Sequence, residues 1–283
     1  MLFSIFLLLP SAGAAQKQKE LILATTTSTY DSGLLGELNP LFEERFDTQI
    51  KVIAVGTGAA IRHAQDGDVD VILVHARGAE DTFLKEGWGV NRRDVMYNDF
   101  VILGPQDDPA GIEDTNEATV ALARIAEQKT KFVSRADNSG THKKELSIWE
   151  NAGIETGGNW YLQVGKGMGD TIVQADTMGA YTLSDRGTYL SMKDKIDLEI
   201  LLQGPVKGGD ETLMNSYGII AVNPAKYPSV NYSRAMAYIG FLTSVEGQKI
   251  IENYKVNGEQ LFFPHALEET PNFAQYVPEG YCE

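Results

Sequence analysis

A single cysteine, Cys282, stands in 283 residues, so the chain has no disulfide framework, no thiolate metal site and no cysteine after its leader to carry a lipid. His63, His75 and His265 have no second ligand at metal spacing, which argues against zinc, and no other metal site or cofactor is expected. Positive charge is also scarce. Twenty-four Lys and Arg face 39 Asp and Glu for a net −15, and no basic cluster exceeds a pair, which excludes nucleic acid and anionic membrane as partners. The acidity also means that an anionic ligand has to be held by local dipoles, against the field of the whole molecule. Beyond the first residues no run is apolar enough to span a bilayer.

That first run, "MLFSIFLLLPSAGAAQ", has the length of a signal peptide and ends in small residues, which predicts a leader over 1–15 and an exported, soluble, periplasmic monomer. Its basic n-region is missing, which leaves the true start open. The rest alternates strand-like and helix-like segments. "LILAT", "IKVIAV", "VDVILVHA", "KFVSR", "YLQVG", "AYTLS" and "DLEILLQG" read as strands, with a loop expected ahead of "KFVSR". "AAIRHAQ", "AEDTFLKEG", "THKKELSIWENAG", "GDTIVQADTMG", "YSRAMAYIGFLTS" and "VEGQKIIENY" read as helices. Such repeats predict an α/β fold with an open, mostly parallel sheet and helices on both faces. "YNDFVILGP" (97–105) and "NSYGIIAVNP" (215–224) share a pattern of Asn and an aromatic before an apolar run closing in Pro. They predict a two-strand hinge between two lobes, 21–98 with 217–283 and 99–216.

Open α/β sheets bind ligands beyond the C-terminal ends of their strands. Four strand-to-helix junctions fall there: "TTTSTYDSG" (25–33), "GTGAA" (56–60), "SRADNSGT" (134–141) and "GKGMGDT" (165–171), all rich in Gly, Ser or Thr. One such junction is by itself a simple N-cap. Four together, two per lobe, would line both walls of a cleft with hydroxyls and unpaired amides, which suits an anion. Arg135, a cation at the end of its strand, is suited to a charge-assisted bond to an oxyanion. Competing chemistries lack their signatures. "VGKGMGDT" has neither the third-glycine spacing of a dinucleotide fold nor a phosphate-loop Lys-Ser/Thr, and His142 has no G-x-S-x-G serine to serve. Trp149 and Phe42 read as core.

"ATTTSTYDSGLL", "VGTG", "DVDVILVHA", "VMYNDFVILGP" with "DPAGI", "SRADNSGTHKKELSIW" and "AYTLSDRGTY" resemble the periplasmic tungstate-binding proteins of ABC transporters, members of the type II solute-binding fold. The match is dense from Leu21 to Tyr189 and looser to Phe263. The resemblance implies a two-lobed carrier without catalysis that captures tungstate or molybdate and delivers it to an inner-membrane permease. It puts the family's hydroxyl motif on Thr25, Thr26, Thr27 and Ser28, with Thr26 the main donor, and a second contact on Thr57 and Gly58. It puts the recognition arginine on Arg135, the following turn on Ser139, Gly140 and Thr141, and the Gly-rich junction on Gly169, Asp170 and Thr171. Departures are Ala59 where Lys is frequent, Ala136 where Gly is common, and Asp170 where a small residue is frequent. Asp170 is expected to face solvent or cap its helix. The alternatives are a carrier of phosphate or another oxyanion, and an enzyme acting on a phosphorylated small molecule.

Overall fold

The computed structural model describes residues 19–256 and 258–266. The leader at 1–15 and Cys282 lie outside them. Two compact units emerge, one holding the described residues up to Asp94 with Gly218–Ile250, the other Val95–Tyr217 with the residues from Ile251 on. Among the described residues no helix is long and apolar enough to cross a membrane.

In the first unit, β1 (Glu20–Thr26) pairs in parallel with β2 (Gln49–Val55) and β3 (Val71–Val74). Five short helices surround them: α1 (Thr27–Asp31), α2 (Leu34–Phe46), α3 (Thr57–Asp66), α4 (Arg77–Lys85) and α9 (Tyr232–Leu242). Ala24 and Ile72 pack with Ala60 and Ala64 of α3 and Phe83 of α4. Leu21 and Leu23 point the other way by the two-residue strand period, and α2 and α9 join there through Phe42, whose ring meets that of Tyr238 edge-on at 5.0 Å. Gly67 ends α3 at φ 76°, a left-handed position where a Cβ would strike the Tyr227 ring, so glycine is required there.

In the second unit the far half of β4 (Gly89–Gly104) carries β7 (Thr182–Asp185) and β8 (Glu199–Leu202), both antiparallel. β5 (Phe132–Ser134) and β6 (Tyr161–Gln163) form a parallel pair. Alternation along β4 decides the two faces. Phe100 and Ile102 join α5 (Ala118–Gln128) and α6 (Gly140–Asn151), while Val101 and Leu103 join α7 (Met168–Met178). The expected parallel pairing thus holds for β1 to β3 and for β5 with β6, whereas β4 takes antiparallel partners. Helices also arise where none was read, α5 and α8 (Arg186–Met192) among them. α5 buries Ala118, Ala121, Leu122 and Ile125 at helical spacing, and α8 is capped by the Asp185 carboxylate on the Thr188 amide at 2.8 Å.

The unit boundary falls within β4, between Asp94 and Val95, and within β9 (Met214–Val222), between Tyr217 and Gly218. After α10 (Val245–Asn253) come the short strands β10 (Lys255–Val256), β11 (Glu259–Gln260) and β12 (Phe263–Pro264). This stretch, expected with the first lobe, clusters with the second unit because Phe263 pairs with Tyr97 of β4 and Phe262 meets the Tyr217 ring at 5.5 Å.

A buried ion pair sits near each crossing. In the first unit Arg92 Nε donates to Glu80 Oε2 at 2.7 Å with neither side chain exposed, and in the second Arg186 grips Asp99 with two bonds of 2.7 Å. Burial pushes the Glu80 carboxyl up against the lowering pull of Arg92. Removing one partner of such a pair strands a buried charge. Glu80→Ala is therefore expected to lower unfolding free energy by about 3–5 kcal/mol, read by urea denaturation; a change near zero would mean that Arg92 finds water or Asp94 sufficient.

Candidate anion-binding site

Parallel pairing brings strand ends together, and with them the loops and helix starts that follow. Thr26 of β1 is the register partner of Val55 of β2, so the N-termini of α1 and α3 are neighbours in the first unit. The five hydroxyls divide their work. Thr25 is fully buried and its hydroxyl donates to the Leu73 carbonyl at 2.7 Å, which ties β1 to β3. Thr26 caps α1: its oxygen accepts from the Thr29 amide and lies 2.6 Å from the Thr29 hydroxyl and 3.2 Å from that of Ser28. Thr27 and Ser28 are exposed. Thr57 opens α3 behind Gly56, its hydroxyl without a partner among the described residues, with Gly58 next to it. The first unit therefore presents Thr26 to Ser28 beside Thr57 and Gly58, and Thr25 belongs to the core.

The second unit repeats this plan around Arg135. Ser134 ends β5 in register with Gln163 of β6, and the Lys166 amide donates to the Arg135 carbonyl at 3.2 Å, so the loops leading to α6 and α7 run side by side. Arg135 donates from Nη2 to Asp137 at 2.5 Å and from Nη1 to the Thr141 hydroxyl at 3.4 Å. Its Nε, on the same edge as Nη2, is buried with no hydrogen-bond partner among the described residues. An orphaned buried donor is disfavoured by about 1–3 kcal/mol, and an oxyanion oxygen at that edge would relieve it. Burial opposes ionisation of Asp137, but Ser139 and the Arg135 guanidinium outweigh it and hold the carboxyl below its usual range.

The turn itself is held in an unusual shape. Ala136 (φ 49°) and Asn138 (φ 60°) are both left-handed without being glycine, a conformation that persists where neighbouring contacts over-determine it. Those contacts are the Ser139 amide on Asp137 at 3.1 Å and the Asn138 amide on His142 Nδ1 at 3.0 Å. Burial lowers the His142 pKa, in keeping with a ring nitrogen that accepts. Ser139 then caps α6 on the His142 amide, leaving the amides of Gly140 and Thr141 with no carbonyl inside the helix.

At α7 the three junction residues separate. Gly169 and Asp170 lie in the first turn, where amides have no intrahelical acceptor, and the Asp170 residue is exposed, as expected. Thr171 is fully buried, and both its amide and its hydroxyl are spent on the Gly167 carbonyl, at 3.0 and 2.8 Å. Both of its donors thus serve the start of its own helix. Sequence inspection missed Asp137, although its position two residues after Arg135 is the spacing at which the side chains meet. It also missed Glu145, whose signal was a carboxylate at helical spacing between Thr141 and Trp149.

A family model described as a PBP superfamily domain matches residues 11–246. The chain belongs to the PBP superfamily. Among relatives, it is 66% identical over 263 residues to a protein of Haloferax volcanii provisionally named an ABC transporter anion-binding protein, covering 93% of this chain and 77% of that one. It is 46% identical over 255 residues to the tungstate-binding protein TupA of Peptoclostridium acidaminophilum, covering 89% and 87%. Among solved structures, the tungstate-binding protein TupA from Desulfovibrio alaskensis G20 is similar at a TM-score of 0.79 and 43% identity, over 87% of this chain and 98% of that one. In this superfamily member the hydroxyl run is therefore partly scaffold. Thr25→Val should remove the buried bond to the Leu73 carbonyl and lower stability by about 0.5–1.5 kcal/mol while leaving anion affinity within about twofold, a factor worth only ~0.4 kcal/mol; urea denaturation and titration calorimetry check the two halves.

Proposed function

We propose that this chain is the periplasmic substrate-binding component of an ABC transporter, a monomer that captures tungstate or molybdate and hands it to an inner-membrane permease. The observation that carries this reading is the Arg135 guanidinium, with a buried Nε that lacks an acceptor among the described residues, set among the hydroxyls and helix-start amides of the second unit. The Thr26 to Ser28 and Thr57 to Gly58 groups of the first unit have the same donor chemistry, and there the exposed Arg62 guanidinium reaches back to Gly58 from the next turn of α3. Both groups are made mainly of donors. Tungstate, molybdate and sulfate are fully deprotonated at neutral pH and need only donors, whereas hydrogen phosphate also offers a proton that needs an acceptor. The kinship with proteins named for tungstate and anion binding supports the same ligand class. Nothing in the reading calls for catalysis.

Affinity is within reach of such a site. A hydrogen bond to a charged group is worth about 1.5–3 kcal/mol net, so six or so, less the association term, correspond to roughly micromolar to nanomolar binding.

The test is calorimetric titration of anion-stripped protein with tungstate, molybdate, sulfate and phosphate at one salt concentration. Tight one-to-one binding of tungstate, with molybdate comparable or weaker and sulfate far weaker, is expected. Arg135→Ala and Thr26→Val should each weaken tungstate by about tenfold or more, the equivalent of one charged hydrogen bond. Binding of phosphate alone would overturn the ligand assignment, and hydrolysis of phosphoesters by the purified protein would overturn the carrier.

A further inference from the structure

Glu145 is a carboxylate only 2% exposed, and among the described residues no Lys, Arg or His pairs with it. Three neutral donors surround it instead. The Tyr161 hydroxyl and Trp149 Nε1 reach Oε1 at 2.7 and 3.2 Å, and the Ser134 hydroxyl reaches Oε2 at 2.8 Å. One side chain thereby ties β5, β6 and α6 together, the elements that set the Arg135 loop. Ser134 immediately precedes Arg135, and Thr141 stands one helical turn, about 6 Å of rise, before Glu145.

We propose that Glu145 is a positioning residue for the donors from Arg135 to Thr141, and that capture of an oxyanion there draws a proton from solvent onto its carboxyl group. This rests on the oxyanion reading above. A buried carboxylate without a cation is held in its charged form by hydrogen bonds alone, and a dianion at the start of the same helix adds negative potential through a poorly solvated region. The proton goes to Oε2, because Oε1 already faces two donors. The new O–H then donates to the Ser134 oxygen, whose own hydrogen turns to another acceptor, so the three elements stay joined in either state.

Burial pushes the Glu145 carboxyl up to about 7, against the lowering effect of the Tyr161, Ser134 and Trp149 bonds, and the Asp137 charge adds to the rise. The titratable groups that act on it are Tyr161 from β6 and Asp137 from the loop, and Arg135, His142 and Lys144 are the further charged or titratable residues of that loop and of the adjoining turn of its own helix. Lys144 leads away to the Thr212 carbonyl at 2.9 Å. α5 packs on α6 through Ala121, Leu122 and Ile125, and β7 brings the neutral Thr182 and Ser184. His142 is thus the group whose titration has to be separated from that of Glu145.

The experiment is titration with tungstate between pH 6 and 8.5 in two amine buffers of different ionisation enthalpy, so that no sulfonate or phosphate competes. Wild-type protein is expected to take up a measurable fraction of a proton near pH 7 and to lose affinity as pH rises, by about tenfold for one pKa unit of coupling. Glu145→Gln keeps the contacts, with its amide oxygen toward Tyr161 and Trp149 and its NH2 toward Ser134, and should lose both the uptake and the pH dependence. Ser134→Ala removes a donor to the charged form and should move the pH of the fall upward, a readout available even if Glu145→Gln folds poorly. Binding without proton uptake, uptake that survives in Glu145→Gln, or uptake lost in His142→Gln instead overturns this inference and leaves the function standing. Absence of binding to any of the four anions overturns the function and this inference with it.

Discussion

An α-helix cannot satisfy its own first amides, and in this chain that shortage is placed repeatedly at the ends of parallel strands. β1 and β2 end together, as do β5 and β6, and each pair delivers two donor-rich segments side by side. The rest of the candidate site depends on that constraint. Capping by Thr26 and Ser139 uses one acceptor oxygen per helix and leaves other donors of the first turn available. Gly56 and Gly167 begin α3 and α7 with no side-chain cap at all, which leaves those first turns still less satisfied. Where a side chain does satisfy the backbone completely, as Thr171 does with Gly167, the residue leaves the site and joins the core.

The polar interior of each unit follows a second logic. Arg92 with Glu80, and Arg186 with Asp99, are buried pairs whose desolvation offsets much of their attraction, so they are weak evidence for stability. Their geometry speaks for shape instead. A Cβ on Gly218 would collide with the Glu80 carboxylate, and one on Gly204 would come within 2.6 Å of that of Asp99, so each pair fixes how closely a neighbouring backbone approaches. Gly218 adjoins the residue at which β9 passes between units and Asp99 lies five residues beyond Asp94 in β4, so each unit carries such a pair near a crossing strand.

Much of this was legible beforehand because the signals were local. The period-2 and helical patterns gave β1 to β3, α3, α6, α7, α9 and α10, and Gly67, Gly153 and Gly179 stop their helices by left-handed turns as their positions imply. α5 was legible and overlooked, since Ala118, Ala121, Leu122 and Ile125 are spaced for one buried face. α8 was harder, for its seven residues contain Gly187 and depend on the Asp185 cap. Within the site, residue type identified the junctions but not the division of labour inside them. Nothing in "TTTST" separates Thr25, which bonds a strand 48 residues on, from Thr26, which bonds its own turn. That distinction is made by the register of β1 against β3, a long-range fact.

Charge ties these strands together. A chain at −15 repels an anion from afar, but at physiological salt the screening length is about 8 Å, so exposed carboxylates beyond that distance contribute little. What decides is the short range, where dipoles and one guanidinium act through protein rather than water. Asp137 belongs to that range, since it holds the Nη2 of Arg135 while leaving Nε orphaned. The arginine is thereby kept in one orientation with half of an edge unspent. A rotating lysine could not be held that way, because a guanidinium divides its donors between two partners in fixed directions and an ammonium does not. An acidic chain can therefore recognise an anion if the guanidinium it offers is planar and already anchored, and the strained turn at Ala136 and Asn138 holds the Asp137 that anchors Arg135.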